Sequence, residues 1–229
     1  MTLYHGSLLE IKNPQFGSGN PKTDYGLGFY CTQNIELAKE WGCSEEKNGF
    51  ANEYDLDLTD LRILDLNTNH NILTWLAILL DNRTFELRRD IAEQGKKFIL
   101  ENFLIDYKSF DIIKGYRADD SYFSFATAFL ENTISIQKLN KAMKLGQLGE
   151  QVVLKSEKSF KQLKFIQSYI SNNEIYFPKK TERDSKARND FFKMRSENFG
   201  GLKKEIYLLD LIRQEVQLDD SRLRRELSL

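Results

Sequence analysis

Apolar residues change their spacing repeatedly along this chain, and that switching limits the fold more than any other feature. Over 53–57 and 62–66 they alternate with polar residues around an Asp/Thr turn, the period of half-buried strands. Over 34–41, Ile35, Ala38 and Trp41 recur at three-residue spacing behind Asn34, a side chain suited to an N-cap, so a helix is predicted. Further strands are predicted at 2–6, 110–116, 151–155, 164–170 and 174–177. Helices are predicted at 71–80 and 85–103, the first so apolar that it must be buried. Another follows Asp119 and Asp120, two cap candidates, and buries Phe123, Ala126, Phe129 and Leu130. Residues 134–145 form one more, which Gly146 and Gly149 end. Short strands interleaved with helices, and no linker or repeat, predict an α+β fold. The charged stretch 181–198 and the amphipathic stretch 205–216, separated by Gly200-Gly201, predict a helical extension over 179–229 beside a main domain of 1–178.

Composition narrows the function classes. A hydrophobic content of 41% and an aromatic content of 12% suffice for a buried core. A net charge of −1 provides no global field to draw in nucleic acid or membrane. The longest apolar stretch, near 72–80, is too short to cross a bilayer, and no signal-peptide pattern opens the chain. Cys31 and Cys43 fit a reduced compartment, and a cytoplasmic location with no membrane partner is expected. With His5 and His70 as the two histidines, no Cys/His zinc pattern can be assembled, so no metal is expected.

Two strings carry the chemistry. Leu-Tyr-His-Gly-Ser occupies 3–7, and Tyr-Gly-Leu-Gly-Phe-Tyr occupies 25–30 at the end of a turn-rich loop over 13–28. The glycines at 26 and 28 do not follow a strand as a dinucleotide-binding Rossmann turn requires. Taken singly, His5 reads as a structural strand residue, Gly26 and Gly28 as turn residues, and Tyr30 and Trp41 as core. Taken in order, the two strings form the start of a site that holds a flat ring between aromatic faces and against backbone amides.

In that order they resemble the poly-ADP-ribose polymerase and diphtheria-toxin group of ADP-ribosyltransferases, which carry His, Tyr and Glu on three separated strands. The chain is more closely similar to an uncharacterised bacterial family assigned the same fold and often encoded beside a small partner in toxin–antitoxin-like pairs. That likeness runs from Leu3 to about Phe165, and its most specific stretches are 3–7, 24–41, 115–120 and 151–165. It implies a split mixed sheet with helical insertions and a C-terminal helical appendage. It also implies NAD as co-substrate, with transfer of ADP-ribose to a protein or nucleic acid by a toxin of a toxin–antitoxin or phage-defence pair, and a small antitoxin as partner. By the resemblance His5 meets a ribose hydroxyl, Gly6 holds the nicotinamide amide through its backbone, and Ser7 adds a hydroxyl contact. Tyr30 stacks on the nicotinamide, and Trp41, eleven residues on, is the second ring-facing aromatic. Tyr4, Gly26, Gly28 and Asp119 complete the expected NAD-binding set.

The third position departs from the pattern. Gly-Glu-Gln-Val-Val-Leu runs over 149–154, and the best register puts Gln151 where the group has glutamate, with Glu150 beside it. Strand alternation points these two to opposite faces, so only one can serve unless the strand bulges, and Asp119 and Asp120 are the other acidic candidates. Gln can hold ribose hydroxyls but carries no charge. Two other readings therefore stand beside the transferase: a catalytically silent NAD- or ADP-ribose-binding module, and an NAD glycohydrolase. In the tail, Lys179, Lys180, Arg183, Lys186, Arg188, Lys193 and Arg195 form either a solvated helix face or a patch for phosphate groups or an acidic inhibitor, with Phe191 and Phe192 as anchors.

Overall fold

The computed structural model describes residues 1–68, 70–118, 120–145, 149–196, 205–221 and 223, with the side chains of 120 and 121 left out. The fold is mixed α+β with two sheets. Strands β1 (Thr2–Ser7), β3 (Gly49–Leu56) and β7 (Leu163–Ser171) form one antiparallel sheet in the order β1-β3-β7. The second sheet has the order β2-β6-β5-β4, made of β2 (Phe29–Cys31), β6 (Glu150–Leu154), β5 (Ile112–Tyr116) and β4 (Ile63–Asp65). Its β4–β5 pair is parallel and the others antiparallel. The sheets meet where Tyr4 and Thr32 exchange backbone hydrogen bonds of 2.8 and 2.9 Å. The two strands expected around the Asp/Thr turn exist, but the turn carries the chain from one sheet to the other.

Two cores hold the layers. Leu3, Phe29, Cys31, Tyr54, Leu56, Ile112, Val152 and Leu154 fill a small core shared by strands of both sheets. The larger one is built on α2 (Ile72–Asn82), whose residues from Ile72 through Leu80 are all buried, as their continuous apolar character dictates. Around it pack α3 (Asp90–Phe103), α4 (Asp120–Leu130) and α5 (Ile136–Ala142). Asn71 and Ser135 cap α2 and α5 with their side-chain oxygens.

Several expected elements are corrected. Residues 174–177 are not a strand but the first turns of α7 (Asn173–Ser196), because Asn172 ends β7 and its side chain accepts the Glu174 amide at 2.9 Å. Residues 85–89 of the helix expected over 85–103 are not helical: Arg83 closes α2, and the extended segment after it sets Phe85 against Phe123 at 5.1 Å. The final amphipathic stretch is helical only in α8 (Leu208–Arg213). The boundary expected at 178/179 falls inside the continuous α7. Phe191, Met194, Leu208, Leu211, Val216 and Leu223 all join the larger core, so the C-terminal helices pack on the same body. Phe191 anchors α7 while Phe192 is 66% exposed, since consecutive helical residues point about 100° apart.

Candidate functional site

Helix α1 (Ile35–Gly42) starts where Asn34 Oδ1 accepts the amides of Glu36 and Leu37 at 2.9 and 3.3 Å. It lies against β1 so closely that a Cβ on Gly6 would sit 2.1 Å from the Ala38 carbonyl oxygen and 2.7 Å from the Gly42 nitrogen. That approach holds Trp41, near the end of α1, beside the last residues of β1. A second tie fixes α1 from outside: buried Glu40 receives both Nε and a terminal nitrogen of Arg183 from α7, at 2.9 and 2.8 Å.

The loop before β2 closes the other side. Tyr30 donates its hydroxyl to the Gly26 carbonyl at 2.6 Å and accepts the Tyr25 amide at 3.0 Å, with the Thr23 hydroxyl 2.6 Å away. Burial pushes the Tyr30 hydroxyl well above the ordinary tyrosine range, so it stays protonated. Gly26 has φ +72°, and a Cβ there would meet the Asn82 side chain at 2.4 Å, so this glycine is needed by the turn. Lys155 donates to the carbonyls of Tyr25 and Leu27, locking the loop onto the end of β6.

His5, Gly6, Tyr30, Trp41 and Gln151 together line one cavity of about 320 Å³. These five expected residues come from β1, β2, α1 and β6, so the fold gathers them although the sequence spreads them over 147 positions. Within the cavity, His5 Nδ1 lies 2.7 Å from the Tyr30 carbonyl oxygen. A carbonyl can only accept, so Nδ1 carries the proton and Nε2 keeps the lone pair. Burial lowers the His5 pKa below the ordinary histidine value, only partly offset by that hydrogen bond, so the ring is neutral at pH 7. Its face stacks on Phe29 at 4.3 Å.

Gln151 is 6% exposed, and its Oε1 is buried with no hydrogen-bond partner among the described residues. A buried acceptor left unsatisfied is costly, and a hydroxyl or N–H brought into the cavity would offset that cost. Glu150 points the other way and accepts Asn67 Nδ2 at 2.7 Å, as strand alternation requires.

The cavity also contains residues that the sequence reading passed over. Thr23, Asp24, Arg83, Arg117 and Ala118 share its wall. Asp24 is 5% exposed; one of its oxygens accepts the Ala118 amide at 2.9 Å and the other lies 3.7 Å from Arg83 Nε. Arg83 donates to the Lys22 carbonyl at 2.8 Å and lies over the Phe123 ring at 4.3 Å. The Arg117 guanidinium lies 4.0 Å from the centre of the Trp41 ring, a planar cation on an aromatic face. Asp24 and Arg117 fall inside the stretches 24–41 and 115–120 that carried the resemblance, which was the one signal for them. Arg83, at the end of a buried helix, had none.

A second cavity of about 410 Å³ adjoins the first, sharing His5, Thr23 and Tyr30, and is closed by the loop residues Pro14, Gln15, Gly19 and Asn20. Gly28 lines this one. Tyr4 and Ser7 line neither cavity: Tyr4 makes the bridge between the sheets, and the Ser7 hydroxyl donates to the Leu9 carbonyl and accepts from Asn52 Nδ2 at 3.2 Å. Asp119 lies outside the described residues. Asn52, fully buried opposite His5, also bonds the carbonyls of His5 and Leu9 and the Ile11 amide, and so fixes the chain leaving β1.

Residues 1–165 match the model of a family described as a protein of unknown function (DUF3990). The chain belongs to the DUF3990 family. Every residue named on the two cavity walls falls within the DUF3990 match, whereas all of α7 and α8 follow it. No curated protein and no solved structure matches the chain. Among the described residues, no helix is long and apolar enough to cross a membrane, and no group of three or more His, Cys, Asp or Glu side chains could hold a metal ion.

Proposed function

We propose that the chain is an NAD-dependent ADP-ribosyltransferase with an ADP-ribosyltransferase-like split sheet, and that the two adjoining cavities hold the two halves of NAD. The observation that carries this reading is the convergence of His5, Gly6, Tyr30, Trp41 and Gln151, expected in that order from the resemblance, on one cavity wall. The nicotinamide half takes the cavity between Tyr30 and Trp41, where two aromatic faces hold a flat ring at low entropic cost. Buried Gln151 Oε1 receives a ribose hydroxyl from this half. The adenosine half takes the second cavity, and His5 Nε2 on the shared wall accepts a hydroxyl of its ribose. Arg83 and Arg117 face the anionic diphosphate.

Two cavities of about 320 and 410 Å³ with a shared wall suit a ligand of two linked rings better than a single compact one. The acceptor is a protein or a nucleic acid, and the biological setting is a toxin held by a small antitoxin, both following from the resemblance alone. Incubation with adenylate-labelled NAD and cell lysate should place label on a macromolecule, and His5→Ala should remove it. Equal labelling by the variant would show that the site is elsewhere.

One observation favours a second reading, a binding module without chemistry: the late-strand residue in the cavity is the uncharged Gln151. Calorimetry that finds NAD binding, with no nicotinamide released over long incubation, selects it. Nicotinamide release without any labelled macromolecule selects an NAD glycohydrolase.

A further inference from the structure

Cleavage of the nicotinamide–ribose bond moves positive charge. The electron pair of the broken bond leaves with the ring nitrogen, which becomes neutral, and the charge passes to the ribose C1′ and its ring oxygen. A lone pair of the acceptor then forms the new bond at C1′, and the acceptor's proton goes to solvent. The developing charge needs a carboxylate, and Gln151 supplies hydrogen bonds only. The charged side chains on the described wall are Arg83, Arg117 and Asp24, two cations against one anion. Without that anion the wall would oppose the very charge that the reaction creates.

We propose that Asp24 is the catalytic carboxylate of this site, doing from the loop the electrostatic work that a glutamate at position 151 would do from the strand. Asp24 is 5% exposed, in surroundings where a fixed charge acts far more strongly than in water. Its carboxylate is held by the Ala118 amide at 2.9 Å, while the 3.7 Å to Arg83 Nε is an ion-pair contact longer than a hydrogen bond. The next residue, Tyr25, bonds its amide to the Tyr30 hydroxyl at 3.0 Å, which ties the Asp24 backbone to one ring wall of the cavity. Ala118 follows Arg117, which lies on the other ring, Trp41. The carboxylate is thus tied to the two segments that carry Tyr30 and the cation on Trp41. The diphosphate answers the two guanidinium groups, and the Asp24 carboxylate adds its negative charge to the wall that faces the ribose.

The inference rests on the transferase reading above, and the test separates the two. Asp24→Asn keeps the side-chain shape and an oxygen for the Ala118 amide, and a wild-type circular dichroism spectrum checks that the loop is held. In this variant the turnover number for nicotinamide release should fall on the order of a hundredfold. The dissociation constant for NAD, read by calorimetry, should stay equal or tighten, because the wall gains positive charge toward an anionic ligand. Adding Gln151→Glu to Asp24→Asn returns a carboxylate to the same wall and should recover about tenfold or more of the lost rate. Wild-type turnover by Asp24→Asn overturns the proposal while leaving the transferase reading intact. So does a loss that Gln151→Glu does not recover, since that assigns Asp24 to holding the loop. Wild-type protein that releases no nicotinamide overturns both.

Discussion

Gly6→Ala is the substitution whose consequence the geometry fixes most closely. The resemblance gives Gly6 a ligand contact, yet the tightest neighbours of its missing Cβ belong to the protein. The new methyl would stand 2.1 Å from the Ala38 carbonyl oxygen, 2.7 Å from the Gly42 nitrogen and 3.0 Å from the Trp41 carbonyl carbon. Ordinary contact begins at 3.4 Å, so α1 must retreat from β1 by about 1.3 Å. All three obstacles are backbone, and no rotamer change can make room. Overpacking of this kind costs about 1–3 kcal/mol, and this site belongs at the upper end. For a chain of this size about 3 kcal/mol lowers the melting temperature by roughly 6–12 °C. Trp41 moves with α1 and leaves the Arg117 guanidinium now 4.0 Å from its ring, so indole emission should change as well. Thermal unfolding by circular dichroism and tryptophan fluorescence of the folded variant read both effects. A melting point within 2 °C of wild type with unaltered emission would refute the argument and return Gly6 to a purely ligand-facing role.

Arg183→Ala leaves the buried Glu40 carboxylate without its bidentate partner, and chemical denaturation should show a loss of up to about 3 kcal/mol; an unchanged midpoint would mean that α7 does not hold α1. Burial holds the His5 pKa below its unfolded value, so the unfolded chain takes up the proton first as pH falls. The stability that the neutral ring carries is complete above about pH 6.5 and is lost as pH falls through the folded pKa, and a His5 NMR titration midpoint at or above 6.5 would contradict this. Cys31 and Cys43 are free and buried, and burial raises both thiol pKa values. A thiol reagent should react with the native protein far more slowly than with the unfolded chain, and rapid reaction of both thiols would refute that burial.

Local signals are legible in this sequence, and partners distant along the chain are not. Asn34 and Asn71 sit next to the amides they cap, so residue type and position are enough to place α1 and α2. The alternation of β6 separates Gln151 from Glu150, and the structure turns Gln151 into the cavity and Glu150 toward Asn67. The start of α7 is not legible because Ile175, Tyr176 and Phe177 form an apolar run whose period is ambiguous, while the decisive capping side chain is Asn172, just before it. The partners of Glu40 and Asn52 are 143 and up to 116 residues away, and no periodicity announces them. Asp24 and Arg83 meet at the cavity only because α2 ends beside the loop, a matter of packing between elements. The cavity's rings and amides were thus legible, and its charges were not.

One face of β6 carries Gln151 into the cavity, and the other carries Glu150 to Asn67. Nicotinamide release from NAD, measured for the wild type beside Gln151→Ala and Glu150→Ala, tests directly which face serves. Gln151→Ala should lose most of the release while keeping the wild-type circular dichroism spectrum, because the ribose loses its partner in the cavity. Glu150→Ala, which gives up only the bond from Asn67, should turn over at close to the wild-type rate. An inactive Glu150→Ala beside an active Gln151→Ala would contradict the account.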